Sequence, residues 1–238
     1  MSLPSLPPSL DQNRALGICE NEPIAQYEIG AGKNLVYLIL DWSSKKAALV
    51  DPQRDLTVPL RDLIKHGFTL EFCLLTHTHH DHIAGVPELH ARGIPICVHL
   101  EDQHRLPRDV QTSETTQLLR DSETLLLGGL SIRVLYTPGH SAGECCFYFE
   151  ARGANGLSRP YLLTGDTVFI RDCGRTDFPD GSNEQMFQSL QRIKSLPAET
   201  VILPGHHYAL ETASTLAREL LESPPFCCRS TEELAALP

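Results

Sequence analysis

Long apolar runs are absent from this chain, and so is an export signal. No run approaches the roughly 20 residues that a helix needs to cross a bilayer, so no membrane partner is expected. The first 13 residues are rich in Pro, Ser and Leu and lack a basic segment followed by an apolar one. The sequence therefore predicts a flexible leader over residues 1–13, a single domain over residues 14–238 and a cytoplasmic location.

A disulfide framework is also absent. The chain has eight cysteines, but their spacing is not that of a small bridged domain. Cys145 and Cys146 are adjacent, as are Cys227 and Cys228, and adjacent cysteines make awkward structural bridges. Reduced thiols in a cytosolic-type compartment are the simpler interpretation.

Basic residues are scarce. Lys and Arg number 20 against 30 Asp and Glu, which gives a net charge of −10, and no basic cluster offsets the excess. An acidic surface repels phosphate backbones, so nucleic acid is not expected as a partner. The chain is 41% hydrophobic and shows no internal repeat, which favours one large domain with its own core.

Ligand-type side chains are concentrated directly after the apolar stretch 72–75. The run THTHHDH holds four imidazoles and a carboxylate within six residues, and these are the ligands that zinc, iron and manganese prefer. His77 and His79 are two residues apart, so on an extended chain they face the same way. Asp81 and His82 follow the turn and can face a second point. The motif therefore predicts two metal positions a few ångströms apart.

Three further segments share one pattern, in which an apolar strand is followed by a tight glycine turn and a ligand-type residue. They are TPGH, TGD and PGH, which end at His140, Asp166 and His206. Glycine lets the backbone turn sharply just before each ligand. Six of the eleven histidines lie in the first motif or in these turns, and a seventh, His207, directly follows the last turn, so we interpret them as one site.

Strand-type and helix-type segments alternate along the chain, which favours stacked sheets covered by helices. The pattern predicts a helix over residues 58–66 that ends at Gly67, and a helix from Ser182 to Leu196 with Ser182 as its cap. It predicts a long final helix from Tyr208 to Glu222. Residues 101–122 are polar and weakly patterned, and we interpret them as a connector that serves as a functional flap.

The order HxHxDH, TPGH, GD and PGH resembles the metallo-β-lactamase superfamily, over about residues 26–222. The resemblance implies an α/β fold, an αββα four-layer sandwich, with the site at one edge between two sheets. It also implies the ligands of two divalent ions, zinc or alternatively iron or manganese. These are His77, His79 and His140 for the first ion, Asp81, His82 and His206 for the second, and Asp166 as a bridge.

This arrangement agrees with hydrolytic chemistry. Two metal ions a few ångströms apart can generate hydroxide at neutral pH and stabilise a developing oxyanion. Asp81 is a catalytic candidate as well as a ligand, because it could instead orient the nucleophilic water or accept a proton.

Residues 165–208 resemble two branches of the superfamily. The pieces GDT-F, CGR, EQM--SL and GHxY are similar to glyoxalase II, the hydroxyacylglutathione hydrolases, whereas residues 170–178 are similar to the IRxCGRTDF run of the persulfide dioxygenases. Both branches act on glutathione-linked substrates, and the resemblance implies that Arg175 and Tyr208 line the thiol-peptide pocket. Arg175 could equally pair with Asp172 or Asp177.

The chain departs from both branches near its C-terminus. Only 32 residues follow His206, too few for the C-terminal helical domain of glyoxalase II. The dioxygenases usually carry Ala where this chain has His80, and Asn-Pro-Arg where it has Ser-Pro-Pro at 223–225. A short-form hydrolase of another thioester or ester therefore stays open.

The sequence as a whole predicts a metal-dependent hydrolase that cleaves a small thiol-derived substrate, such as a glutathione thioester, by metal-hydroxide attack. The alternative is a glutathione persulfide dioxygenase with one Fe(II) held by His77, His140 and Asp166. A lesser alternative is a non-enzymatic metal-binding module. A homodimer is compatible with each of these functions.

Overall fold

The computed structural model describes residues 4–7, 10 and 17–237. Its strands are β1 (Ile24–Ile29), β2 (Asn34–Asp41), β3 (Lys46–Val50), β4 (Thr69–Leu74), β5 (Ile96–His99), β6 (Thr116–Leu119), β7 (Thr124–Leu127), β8 (Leu130–Tyr136), β9 (Cys145–Arg152), β10 (Ser158–Gly165), β11 (Val168–Phe169), β12 (Asp172–Cys173), β13 (Val201–Pro204) and β14 (Ser214–Thr215). Its helices are α1 (Thr57–His66), α2 (His80–Ile83), α3 (Val86–Ala91), α4 (Arg108–Gln111), α5 (Asn183–Lys194), α6 (Leu216–Glu222), α7 (Pro224–Cys227) and α8 (Thr231–Ala235), with a 3-10 helix at Leu100–Arg105.

Two six-stranded sheets carry the architecture. The first has the order β1-β2-β3-β4-β5-β6, antiparallel up to β3 and parallel from β3 to β6. The second has the order β14-β13-β10-β9-β8-β7, in which only β10 and β13 run parallel. Strands β11 and β12 form a separate hairpin.

Three apolar clusters hold the layers together. One lies between the sheets and takes residues from both, among them Tyr37 and Phe147. A second packs the outer face of the first sheet against α1 and α3, through residues such as Leu63 and Leu89. A third packs the outer face of the second sheet against α5 and the C-terminal helices. The layers are therefore helices, sheet, sheet and helices, and the predicted αββα sandwich is confirmed.

Strand β2 shows how the sequence produces this layering. All eight of its residues are buried, and alternate side chains point to opposite faces of the sheet. Leu35 and Ile39 join the cluster between the sheets, whereas Val36 and Leu38 join the cluster under the helices. A strand covered on both faces needs a continuous apolar run, which is what the sequence supplies.

Several helix predictions can be compared with the structure. Helix α1 ends at Gly67, which adopts the left-handed conformation at φ 70°, and Ser182 caps α5 by accepting a hydrogen bond from the Gln185 amide. The predicted helix from Tyr208 to Glu222 is wrong in its first half, because α6 begins only at Leu216. Pairing of β14 with β13 holds the preceding residues out of a helix.

The predicted connector at residues 101–122 is also wrong in part. Thr116–Leu119 forms β6 and pairs in parallel with β5, so this stretch contributes an edge strand to the first sheet. Within the described ranges, none of the helices has the length and apolar character that crossing a membrane requires. The predicted leader lies partly outside the described residues; Leu10, which is described, is buried against the core between the sheets.

The fold brings four chain segments to one edge of the sandwich. They follow β4 in the first sheet and β8, β10 and β13 in the second. Two backbone hydrogen bonds tie them together, from the Cys145 amide to the Thr76 carbonyl at 2.8 Å and from the Gly205 amide to the Gly165 carbonyl at 2.7 Å. The ligand-type residues of the sequence all lie in these four segments.

Candidate metal centre

His77, His79 and His140 converge on one point and form what we call the first ligand set. The Nε2 atom of His77 lies 3.0 Å from Nδ1 of His79, and Nε2 of His140 lies 2.9 Å from the same atom. Nitrogen ligands about 2.0 Å from a tetrahedral ion stand about 3.3 Å apart. The three nitrogens therefore have the spacing of ligands around one cation.

Asp81, His82 and His206 form the second ligand set. The Nε2 atoms of His82 and His206 are 3.1 Å apart, and Asp81 Oδ2 lies 3.7 Å and 3.4 Å from them, respectively. Asp81 and His82 lie in α2, which follows β4, and His206 lies in the turn after β13, so the set joins the two sheets.

Asp166 lies between the two sets. Its Oδ2 is 3.5 Å from Nε2 of His140 and 3.5 Å from Nε2 of His206, and its Oδ1 is 3.5 Å from Nε2 of His82. The Oδ1 atom is buried and has no hydrogen-bond partner among the described residues. A buried carboxylate oxygen without a donor, surrounded by imidazole nitrogens, fits a pair of divalent cations.

In two histidines of the first set, His77 and His140, the ring nitrogen that faces away from the site is hydrogen-bonded. His77 Nδ1 lies 3.2 Å from Thr76 Oγ1 and 3.5 Å from Glu144 Oε2. His140 Nδ1 donates to the Arg175 carbonyl at 2.8 Å. A proton held on Nδ1 leaves the lone pair of Nε2 pointing into the site, which is the tautomer a metal ligand needs.

The second set is supported in the same way. His82 Nδ1 donates to Asp51 Oδ2 at 3.0 Å, and His206 Nδ1 donates to the Gly32 carbonyl at 2.8 Å. His79 differs from the other four rings, because its Nδ1 atom is the one that faces the site. The outward hydrogen bonds of the other four rings are thus consistent with lone pairs directed inward.

Electrostatics differ between the two sets. Burial lowers the pKa of His77 well below its ordinary value, and burial also lowers the pKa of His79 and His140, which keeps these rings neutral. Burial opposes a charge on His82 too, but the carboxylates of Asp166, Asp51 and Asp81 outweigh it and raise its pKa to about 9. The second set therefore lies in a negative potential that favours a cation.

Asp51 is a supporting carboxylate that the sequence interpretation missed. Besides His82, it accepts hydrogen bonds from the Thr76 amide at 2.8 Å and from Thr76 Oγ1 at 2.6 Å. It approaches His77 and His82 closely enough to be grouped with them, but its oxygens are already occupied by these donors. The sequence signal that could have identified Asp51 is its position directly after the apolar strand β3.

Two more buried acids stabilise the ligand loops. Asp102 accepts from the amide and the hydroxyl of Thr78, both at 2.9 Å, and so fixes the backbone between His77 and His79. Glu144 accepts from the Asp166 amide at 2.9 Å. Neither acid belongs to a recognisable motif, so nothing local in the sequence distinguishes it from a surface acid.

Aromatic rings flank the second set. Tyr208, predicted as a substrate contact, stacks on the ring of His206 with centroids 4.7 Å apart and planes 10° apart. It is 61% exposed, and Phe169 packs edge-on against both rings. Tyr208 therefore presents one face to the ligand and the rest of its surface to solvent.

Phe178 covers the other side of the site. Its ring lies 4.8 Å from that of His79 and 5.3 Å from that of His140. The guanidinium of Arg175 stacks over Phe178 at 4.9 Å and forms a bidentate pair with Asp177. Arg175 thus lies at the rim of the site. Of the two ion pairs considered from the sequence, with Asp172 or with Asp177, it forms the one with Asp177.

A cavity of about 450 Å³ adjoins this rim. It is bounded by residues 172–177 on one side and by α8, with Leu234 and Leu237, on the other. Because Arg175 lines it and the Arg175 carbonyl binds His140, the cavity is connected to the first ligand set through a single residue.

Comparison with known proteins places this geometry in a family. The sequence model of the Metallo-beta-lactamase superfamily matches residues 29–206, which include every residue of both ligand sets. The matched span runs from the end of β1 to His206 and so covers most of the two sheets.

Individual relatives are similar over most of the chain. The hydroxyacylglutathione hydrolase of Enterobacter sp. (strain 638) is 36% identical over 189 residues, which is 79% of this chain and 68% of that protein. The crystal structure of ETHE1 from Myxococcus xanthus superposes with a TM-score of 0.75 at 27% identity, covering 90% of this chain and 92% of that one. TTHA1623 in a di-iron-bound form superposes with a TM-score of 0.66 at 27% identity, covering 84% and 98%.

Proposed function

Because the chain belongs to the metallo-beta-lactamase superfamily, we propose that it is a metal-dependent hydrolase of glyoxalase II type that cleaves a thioester or related ester of a small thiol. The observation that carries the proposal is the placement of Asp166 between two complete ligand sets, with an oxygen or nitrogen of each ligand directed inward. The similarity to a hydroxyacylglutathione hydrolase supports the substrate class.

The proposed cofactors are two divalent ions, zinc or alternatively iron or manganese. Such ions supply a Lewis acid and, at neutral pH, a hydroxide nucleophile. The first ion would be held by the first ligand set and the second ion by the second, with Asp166 shared. All of these residues lie in turns or in the short helix α2, within the segments that follow strands of the two sheets, so the scaffold fixes their positions before substrate binds.

Asp81 has a second role in this proposal. Its side chain is 42% exposed, whereas those of His82 and His206 are buried. An exposed carboxylate beside the ligands can orient a water molecule and accept its proton, which a fully enclosed one cannot do as readily. Asp81 is therefore the proposed catalytic residue in addition to being a ligand.

The substrate would lie between the two aromatic walls. Tyr208 borders the second ligand set and Phe178 borders the first, so a thioester group that reaches the ligands must pass between them. The proposed contacts to a glutathione-like moiety are Tyr208 and Arg175, the latter at the cavity of about 450 Å³. A cytoplasmic enzyme with a single domain, acting as a monomer or a homodimer, agrees with this proposal.

Persulfide dioxygenation is a second candidate. It would use one Fe(II), held by His77, His140 and Asp166. Two observations favour it: the run at residues 170–178 is similar to that of the persulfide dioxygenases, and the fold superposes on ETHE1 over 90% of the chain. In this candidate the second ligand set would not be needed for turnover.

One experiment separates the two activities. Protein loaded separately with zinc, manganese or ferrous iron is assayed for hydrolysis of lactoylglutathione and for oxygen uptake with glutathione persulfide. The hydrolase proposal expects thiol release with no oxygen uptake. Stoichiometric oxygen consumption with sulfite formation would overturn it in favour of the dioxygenase.

Ligand variants complete the test. His79→Ala and Asp166→Ala should each lower turnover by more than about 100-fold. Loss of a residue that only supports a metal ligand already costs up to about 100-fold, so loss of a ligand itself should cost more. His104→Ala is the matched control, because His104 is exposed and its side chain, among the described residues, bonds to the Glu101 carbonyl and to nothing in the site. Unchanged turnover in both ligand variants would indicate that the activity resides elsewhere.

A further inference from the structure

The turn between β1 and β2, residues 30–33, packs against the second ligand set together with Asn34, the first residue of β2. The Gly32 carbonyl accepts the hydrogen bond from His206 Nδ1 at 2.8 Å. Backbone hydrogen bonds join the same segments, from the Leu35 amide to the Gly205 carbonyl at 2.8 Å and from the His207 amide to the Lys33 carbonyl at 2.9 Å. The segment around this turn is thus hydrogen-bonded to the residues on both sides of His206 as well as to its ring.

Asn34 extends this contact to the other end of the second ligand set. It is 2% exposed, and its Nδ2 atom donates to Asp81 Oδ2 at 2.9 Å and lies 3.5 Å from the Asp81 carbonyl. Its Oδ1 atom accepts from Gln53 Nε2 at 3.2 Å. Because Gln53 donates to the oxygen of the amide, the nitrogen is left facing Asp81, and the orientation of the amide is fixed.

The bond from Asn34 reaches the oxygen of Asp81 that faces the site. Oδ2 is the Asp81 atom nearest to His82 and His206, and a carboxylate oxygen has lone pairs enough to accept one hydrogen bond and still bind a cation. Among the described residues, the loss of this donor would leave the carboxylate, which is 42% exposed, with only the hydrogen bond to its own backbone amide. Asp81 would then gain rotamers that point into solvent.

The first ligand set is supported independently of this turn. Among the described residues, Nδ1 of His77 bonds to Thr76 and Nδ1 of His140 to the Arg175 carbonyl. Asp102 holds the backbone between His77 and His79 by accepting from the Thr78 amide. A change at Asn34 should therefore act on one ligand set and not on the other.

We propose that Asn34 is a positioning residue that decides whether the protein holds one metal ion or two. By restraining Asp81, it keeps the second ligand set assembled, while the first set is assembled without it. The inference rests on the proposed two-metal centre and names the residue that controls occupancy of its second position. Residues that support a metal ligand typically contribute 10- to 100-fold in metal affinity.

The test measures metal stoichiometry and does not depend on turnover. Metal-free wild type, Asn34→Ala and Asn183→Ala are titrated with zinc and followed by native mass spectrometry. The manganese-loaded forms are examined by electron paramagnetic resonance for spin coupling between two ions. Asn183→Ala is the matched control, because the Asn183 side chain accepts a hydrogen bond from Thr176 and is not among the contacts of either ligand set.

The expected result is two ions in wild type and in Asn183→Ala. In Asn34→Ala the first ion should bind with unchanged affinity, the second about 10- to 100-fold more weakly, and the coupled manganese signal should be lost. Gln53→Ala, which frees the amide to rotate but leaves Asn34 in place, should weaken the second ion by less. This milder variant keeps the test informative if Asn34→Ala fails to fold.

The contrary outcomes are distinct. Two ions bound with wild-type affinities in both Asn34→Ala and Gln53→Ala would overturn the role of Asn34 and leave the two-metal centre intact. Equal weakening of both ions would also overturn it, because it would indicate a general loss of structure. A single ion in wild type would overturn the two-metal centre and the role of Asn34 together.

Discussion

Asp51 Oδ2 lies 3.0 Å from Nδ1 of His82, and the same oxygen accepts the Thr76 hydroxyl at 2.6 Å. Thr76 Oγ1 in turn lies 3.2 Å from Nδ1 of His77. One carboxylate therefore supports a histidine of the second ligand set directly and a histidine of the first through a hydroxyl.

Replacing this carboxylate should weaken both metal positions. Asp51→Ala leaves His82 without its acceptor and Thr76 without its anchor, so we expect a 10- to 100-fold loss of affinity for the second ion and a smaller loss for the first. Competition with a coloured chelator measures both constants. Asp55→Ala is the control, since Asp55 is exposed and its side chain, within the described part of the chain, bonds to Thr57 and not to the ligand network. Wild-type constants in Asp51→Ala would show that the network is not needed.

Gly174→Ala should disrupt the first ligand set without replacing any ligand residue. A Cβ at this position would overlap the Asp166 carbonyl and lie 2.8 Å from Nδ1 of His140, where the Arg175 carbonyl now binds. We expect loss of most bound metal, measured by elemental analysis. Gly93→Ala is the control: a Cβ there meets nothing within 4 Å, so only its positive φ of 74° is strained, at about 1–2 kcal/mol. Full metal content in Gly174→Ala would mean that the loop adjusts.

Arg175 and Asp177 should have opposite effects on substrate affinity. If Arg175 contacts an acidic thiol peptide, Arg175→Ala raises KM about tenfold with kcat unchanged. Asp177→Ala releases the guanidinium from its bidentate pair and should lower KM for the same substrate. Steady-state kinetics at low and high salt measure both. A KM that rises in both variants would indicate that the pair only shapes the loop.

Stability of the metal-free protein should be greatest near pH 6.5. The pKa of His77 is lowered by burial, so folding is disfavoured as pH falls below the ordinary histidine value, where the unfolded chain binds the proton more readily. The pKa of His82 is raised to about 9, so its contribution is present below pH 6.5 and is lost as pH rises through 9. Calorimetry of chelator-treated protein from pH 5 to 9.5 should show Tm falling on both sides. A Tm that stays constant between pH 6.5 and 9.5 would contradict the raised pKa assigned to His82.

The convergence of the candidate ligand residues was predictable because their signal is local. Each of the four segments that carry them follows an apolar strand, three of the four contain a glycine turn, and a strand end fixes where the next side chain goes. The αββα layering was predictable for the same reason, since buried strands such as β2 are continuously apolar.

The errors and omissions have a common cause in long-range contacts. Residues 208–215 have helical composition, but pairing of β14 with β13 holds residues 214 and 215 extended, and Gln26 binds the Thr212 carbonyl from a distant strand. Strand β6 is short and polar and becomes recognisable only beside β5. Asn34 and Glu144 support ligands that are far away in sequence, and no local pattern marks them.

Both ligand sets join the first sheet to the second across a long stretch of chain. His79 and His140 are separated by 61 residues, and His82 and His206 by 124. An ion held by either set would therefore be a reversible cross-link that closes a large loop and removes conformational entropy from the unfolded chain, as a disulfide does. On the two-metal proposal, a chain with eight free cysteines would have two such cross-links at one edge of its sandwich, and their strength would depend on the supply of metal in its surroundings.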